Sequence, residues 1–519
     1  MHPDCKAICE YILSSKEIDT VKYSKHMRSF GEGACHLYAD SVHASNGCVL
    51  FIAKTLGEKF LWVIEKEAGA DSSEFEGRVM TVAGRNVRKA PLSHANAVVI
   101  RRWFPFARPT AFGREGVSIG LGDRLGIAGP GHLRIIRKTK ARPVLAQQSI
   151  RELNLTNRTY EDVLDSATWA VFQEGYHLGF GADGDHLKTA AEVKQALDLE
   201  FSMITLDCSE KIDNRVATMT KSQIAAAYWA LPKELRDELE PLYLDKGFQV
   251  GGQELFFDST TLREIVLIYS KAMDFIRHIY FDVVKPYNRE IDFEVSIDET
   301  MTPTTPEAHY FVAAELQRHG IVASSMAPRF CGEFQKAIDY IGDIAQFKRE
   351  FILHSAIADQ FGYRLSIHSG SDKFSVYPII GEITGGRVHV KTAGTNWLEA
   401  LKVIASKKPA LFREIYAFAL EHFAEATVYY HVTTDLGKAP DATVMPDTDL
   451  KKVLQQADGR QVLHITYGLV LTAKNPDGSY RFRDTIYKAL DVEEEAYADT
   501  LFLHIQKHLL KLGMEVFRA

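Results

Sequence analysis

From about residue 112 onward, short apolar runs alternate with long amphipathic stretches, the texture of parallel strands joined by crossover helices. Candidate strands fall at 116–122, 142–148, 176–183, 201–207, 292–298, 321–327, 363–369, 387–393, 427–433 and 462–468. Between them the helical period predicts helices over 159–175, 306–320, 332–360 and 396–423. Eight to ten strands with interleaved helices over roughly 400 residues fit an α/β fold of the (β/α)8 barrel type with insertions. A doubly wound open sheet is the alternative. The mostly helical stretch at about 211–290 reads as an insertion between two strands. Residues 1–110, with short strands such as 48–54 and 59–65 among polar turns, read as a small α+β region preceding a catalytic barrel over 111–519.

Composition narrows the class of protein. At 519 residues, 46% hydrophobic and 25% charged, the chain sits in the range of globular proteins. It carries 61 basic and 68 acidic side chains, a net charge of −7. No general basic excess exists to hold nucleic acid by its phosphates, so an anion has to be met by a local cluster. Cys5, Cys9, Cys35, Cys48, Cys208 and Cys331 lack the paired C-x2-C spacing of a structural zinc site. Reduced thiols and a cytoplasmic location are expected. No uncharged apolar run reaches the roughly 18 residues of a membrane span, so neither insertion nor secretion is expected.

In a barrel the chemistry lies at the carboxyl ends of the strands. The third candidate strand runs into GADGDHLKT, which places Asp183, Asp185, His186 and Lys188 together. The strand at 292–298 carries Glu294, Ser296 and Asp298 on one face. Arg329, Glu333 and Gln335 follow the strand at 321, His368 and Lys373 belong to the next, and His389 and Lys391 to the one after. Singly, such residues are ordinary turn and capping groups. Jointly, imidazoles and side-chain oxygens at several strand ends predict one divalent cation, zinc or manganese, with His186 and His368 as leading ligands. His389 reads as a packed core histidine. Lys188, Arg329, Lys373 and Lys391 predict a local anion site for a small carboxylate or phosphate.

Two apparent signatures fail. GLGDRLG at 120–126 misses the dinucleotide spacing by one residue and lacks a following G-K-[ST]. Cys5-x3-Cys9 reads as the inner face of a helix, and there is no G-x-S-x-G element.

The strings GYHLGFGADGDHLKT (175–189), FEVSIDETMTPTTPEAHY (293–310), APRFCGEFQKAIDYIGD (327–343), YRLSIHSGSDKFSVYP (363–378) and HVKTAGTNWLEAL (389–401) resemble the tagaturonate epimerase family. The resemblance runs from about residue 100 to the C-terminus. It implies a metal-dependent barrel enzyme interconverting the ketose acids D-tagaturonate and D-fructuronate. It further implies Asp185 as proton acceptor, Glu294 as proton donor, His186 and His368 as metal ligands, and a third ligand in GEFQK, placed at Gln335 with Glu333 as rival. The two sugars differ at a carbon whose hydrogen the ketone does not acidify, so enolisation cannot invert it. Retro-aldol cleavage and re-addition, helped by a Lewis acid, is the expected route. A metal-dependent aldolase or sugar isomerase is the nearest alternative, and a non-catalytic carbohydrate-binding protein the alternative of another class.

Overall fold

The computed structural model describes residues 1–30, 35–392 and 394–517. An antiparallel sheet of β1 (Cys35–Ser45), β2 (Cys48–Thr55), β3 (Glu58–Glu65), β4 (Arg78–Val82) and β5 (Arg85–Pro91), in the order β1-β2-β3-β5-β4, comes first. Leu50, Ile52, Leu61 and Val63 of this sheet share an apolar cluster with Trp169 and Phe172, so one sheet face is covered by the barrel helix Tyr160–Gln173.

Eight parallel strands then close on themselves: β6 (Ser118–Gly120), β7 (Arg142–Ser149), β8 (Gly181–Leu187), β9 (Met203–Asp207), β12 (Asp292–Ile297), β13 (Ser325–Pro328), β14 (Arg364–Ile367) and β15 (Val388–Lys391). Pairing of His389 with Ser118 joins the last strand to the first, which decides for the barrel over the open sheet. Ala393, the end of one expected strand, lies outside the described residues. Between β9 and β12 the helical insertion also contains a hairpin, β10 (Lys246–Val250) and β11 (Gln253–Phe257). Its two-residue turn, Gly251–Gly252, has φ of 56° and 81°, the left-handed pair that a tight hairpin requires. The surrounding helical pattern masked it.

The last two expected strands do not form. Residues 462–468 belong to the helices Ala457–Ile465 and Tyr467–Thr472. Val462, Leu463, Ile465 and Tyr467 are all buried, and a run apolar on every side carries no period by which to tell strand from helix. Residues 427–433 have no ladder partner; Tyr429, Tyr430 and His431 instead line a pocket at the barrel mouth. The helix expected over 332–360 starts only at Ile344, where Asp343 accepts from the backbone N–H groups of Ala345 and Gln346. The freed stretch between Gly332 and Gly342 forms pocket wall. A single helix over 396–423 is likewise broken, because Pro409 starts a new one.

The barrel interior is polar. Arg364 donates to Ser118 Oγ at 2.7 Å, and Ser118 Oγ meets His389 Nδ1 at 2.8 Å. His389 is therefore a core histidine held through Nδ1, its basicity pushed down to about 3 by burial, with its Nε2 left without a hydrogen-bond partner. Among the described residues no helix is long and apolar enough to cross a membrane, and all six cysteines are free and buried.

Candidate active site

Strand ends β8, β12, β14 and β15 converge on one polar pocket of about 230 Å³. β8 sits several residues later than expected, which places Asp183 and Asp185 within the strand, on one face of it. A register shift between Gly184 and Leu187 turns His186 to φ 53°. For a histidine that left-handed conformation costs on the order of 1–3 kcal/mol, strain characteristically held at functional sites. Thr189 and Glu192 form a capping box on the next helix, pinning the chain just beyond the strained residue. Ser369, beside His368, is also left-handed at φ 49°.

At the centre lies Lys391, 2.6 Å from Asp185 Oδ1, 3.0 Å from Glu294 Oε1, 3.1 Å from Asp183 Oδ2 and 2.6 Å from Thr205 Oγ1. Burial works against charge on this lysine, but the three carboxylates outweigh it and hold the ammonium well above its ordinary range. In return, and again against burial, Lys391 and His186 hold the Asp185 carboxyl below its ordinary range. Glu294 is likewise held low by Lys391 and His368. It is wholly buried and stands behind Lys391 and His368, off the pocket wall that Asp185 reaches.

His368 bridges two carboxylates, with Nε2 2.8 Å from Glu294 and Nδ1 3.1 Å from Asp298. Burial opposes its protonation, yet Asp298 and Glu294 lift it to about 9. His186 lies 4.8 Å away, centroid to centroid, and its Nδ1 meets Asp207 at 3.3 Å. The Asp207 carboxylate on Nδ1 fixes the His186 tautomer and leaves its Nε2 free to coordinate, while the His368 Nδ1 faces Asp298. Donor atoms of His186, Asp298 and His368 all lie within 4.8 Å of one another. This two-imidazole, one-carboxylate set fits a divalent cation such as zinc. Asp372, His504 and His508 also cluster, but away from this pocket; Asp372 and His504 line a separate hollow.

The third ligand expected in GEFQK has its side-chain oxygen engaged by protein groups. Gln335 Oε1 already accepts from Thr433 N and Oγ1, both at 3.0 Å, and from Gln461 Nε2 at 3.1 Å. The Thr433 backbone N–H can only donate, so the amide oxygen is turned toward it. Glu333 lies in an adjoining hollow of about 270 Å³, 3.9 Å from Arg329. Asp298, outside GEFQK, is the residue whose oxygen lies within 4.8 Å of donor atoms of both His186 and His368.

The four expected cations separate. Lys391 alone reaches the pocket wall, neutralised by its carboxylates. Arg329 lines the adjoining hollow and donates to Thr300 O. Lys188 pairs with Asp207 at 3.6 Å, and with Glu210 and Glu299 at 3.9 Å. Lys373 is fully buried and donates to the carbonyls of Gln335, Ile338 and Ser371 at 2.6–3.0 Å. Burial brings its pKa down to about 7; it clamps a loop.

Arg151, Lys336, Tyr430 and His431 also line the pocket, and the sequence reading missed them. Arg151 follows β7 by two residues, so the strand-end rule was the available signal. His431 was hidden by the expected strand at 427–433. Two larger hollows, of about 580 and 1330 Å³, contain none of Asp185, His186, Asp298, His368 and Lys391.

A closed parallel barrel whose carboxyl mouth gathers ionised carboxylates, a buried lysine and paired histidines defines an enzyme acting on small polar molecules. Residues 38–512 match the family model described as tagaturonate epimerase. The chain belongs to that family, which places it among the isomerases. The tagaturonate/fructuronate epimerase of Thermotoga maritima is 41% identical over 481 residues, covering 92% of this chain and 97% of that protein. The native crystal structure of the fructuronate-tagaturonate epimerase of Cohnella laeviribosi superposes with a TM-score of 0.91 at 50% identity, covering 95% of this chain and all of that one. A complex of the same enzyme with two glycerols gives 0.90 at 51% identity, covering 93% of this chain and 97% of that one.

Proposed function

We propose that this protein interconverts D-tagaturonate and D-fructuronate by opening and re-forming a carbon–carbon bond. Membership of the family along almost the whole chain, with Asp185 and Lys391 side by side in the pocket, is the observation that carries the reading. His186, His368 and Asp298 would hold a divalent cation, zinc or manganese. When bound, such an ion supplies Lewis-acid stabilisation of negative charge building on the substrate's oxygens.

The protein's own groups move the protons. Asp185, ionised and at the pocket wall, takes the proton of the hydroxyl on the carbon to be inverted. The bond from that carbon to the carbon beside the ketone breaks, leaving an aldehyde and an enediolate. The aldehyde turns, and the bond re-forms on its other face. Lys391 protonates the new alkoxide and recovers a proton from Asp185 across their 2.6 Å contact, so the site returns to its starting state. Glu294, implied as proton donor by the family resemblance, acts on this reading through Lys391, keeping it charged from below the pocket.

The test is turnover of D-tagaturonate by the metal-loaded protein in heavy water. D-fructuronate is expected, with the inverted carbon still carrying protium and a sizeable carbon isotope effect on both atoms of the breaking bond. Deuterium at that carbon would overturn the bond assignment. Accumulation of two three-carbon products in place of the epimer would make the protein an aldolase.

A further inference from the structure

The carboxylate of a uronate substrate needs a cationic partner, and the central lysine cannot be it. Lys391 already balances three carboxylates. Arg151 and Lys336 line the same pocket, and neither takes part in an ion pair among the described residues. Arg151, on the rim, lies 4.9 Å from the centroid of the Tyr430 ring and donates to Tyr429 O at a long 3.4 Å. Lys336, half-buried, donates to Ser369 Oγ at 3.0 Å. Glu152, the acidic residue beside Arg151, is taken by Arg124 at 2.7 and 3.0 Å. Burial and the charge of Arg151 both depress the Lys336 ammonium. Two like charges facing one pocket are costly until an anion joins them.

A third group points the same way. Gln335 is 4% exposed and lines this pocket, and its Nε2 has no hydrogen-bond partner. An unpaired buried amide donor costs roughly what a lost hydrogen bond costs, and a carboxylate oxygen would satisfy it. The Arg151 guanidinium supplies the planar, two-pronged donor that carboxylates fit best.

We propose that Arg151, Lys336 and the Gln335 Nε2 amide form the subsite for the substrate's terminal carboxylate, and that this subsite selects uronates over neutral ketoses. The inference rests on the epimerase reading for the identity of the sugar. The substrate enters as the carboxylate, its charge held between the arginine and the lysine while the hydroxyl of the carbon to be inverted, two carbons along the chain, meets Asp185 and the ketone end faces the histidines.

Calorimetric binding of D-tagaturonate and of neutral D-tagatose to the metal-loaded protein tests it. Arg151→Gln and Lys336→Met are each expected to weaken D-tagaturonate by about tenfold or more, the scale of a charge-assisted contact, and D-tagatose by less than about twofold. Lys336→Arg should recover most of the loss. Equal weakening of both sugars, no weakening of either, or equal affinity of the unaltered protein for both would overturn the subsite. The two variants lie on separate segments, so if one fails to fold the other still decides. Uronate-selective binding that depends on these residues, without formation of D-fructuronate, would keep the subsite and remove the epimerase reading.

Discussion

Dialysis against a chelator is expected to bring turnover of D-tagaturonate to background, and added zinc or manganese to restore it. His186 and His368 project from different strands, and with Asp298 their donor atoms already lie within 4.8 Å of one another. A set assembled this closely from distant parts of the chain binds an ion with little rearrangement. His368→Ala should abolish both metal retention and activity. Asp207→Ala removes the partner that orients the His186 ring at 3.3 Å, so metal affinity should fall about 10–100-fold. Elemental analysis paired with the activity assay decides the matter: full turnover in protein shown to be metal-free would end the proposal.

Asp185→Asn is expected to lower kcat by about 10²–10⁴-fold, the usual worth of a positioned acid–base group, with metal content unchanged. Lys391→Met should lose at least as much activity and should also destabilise the fold. It leaves Asp183, Asp185 and Glu294 buried around a vacated cation position, and breaking a buried ion pair from one side costs about 3–5 kcal/mol. Denaturant unfolding separates the two effects: the asparagine variant should unfold near the unaltered midpoint and the methionine variant well below it. Turnover close to that of the unaltered protein in both variants would show that other groups carry the protons.

Much of this was legible before any coordinates. Strand–helix alternation signalled a barrel, and the rule that chemistry lies at carboxyl strand ends drew attention to Asp185, His186, His368 and Lys391, all of which line the pocket. The same rule gave no means of telling which strand-end cations face the ligand. Lys373 and Lys391 each belong to a strand or to the turn that follows it, yet one clamps three carbonyls and the other anchors the carboxylate cluster. Their difference lies in the direction of a flexible side chain, and spacing along the chain says nothing of that.

What the sequence determined by itself is the period of its elements and the chemical groups at their ends, because alternation and turn residues are local properties of a chain. Tertiary structure decided the rest. It turned the run at 462–468 into helix, since a segment buried on all sides takes its shape from its surroundings. It kept residues 427–433 out of the sheet and set Tyr430 and His431 against the pocket. It engaged the Gln335 oxygen with Thr433 and Gln461, and brought Asp298 beside His186 and His368. Each of these outcomes depends on partners a hundred residues or so away in the chain, whose distance and direction only the closed barrel fixes.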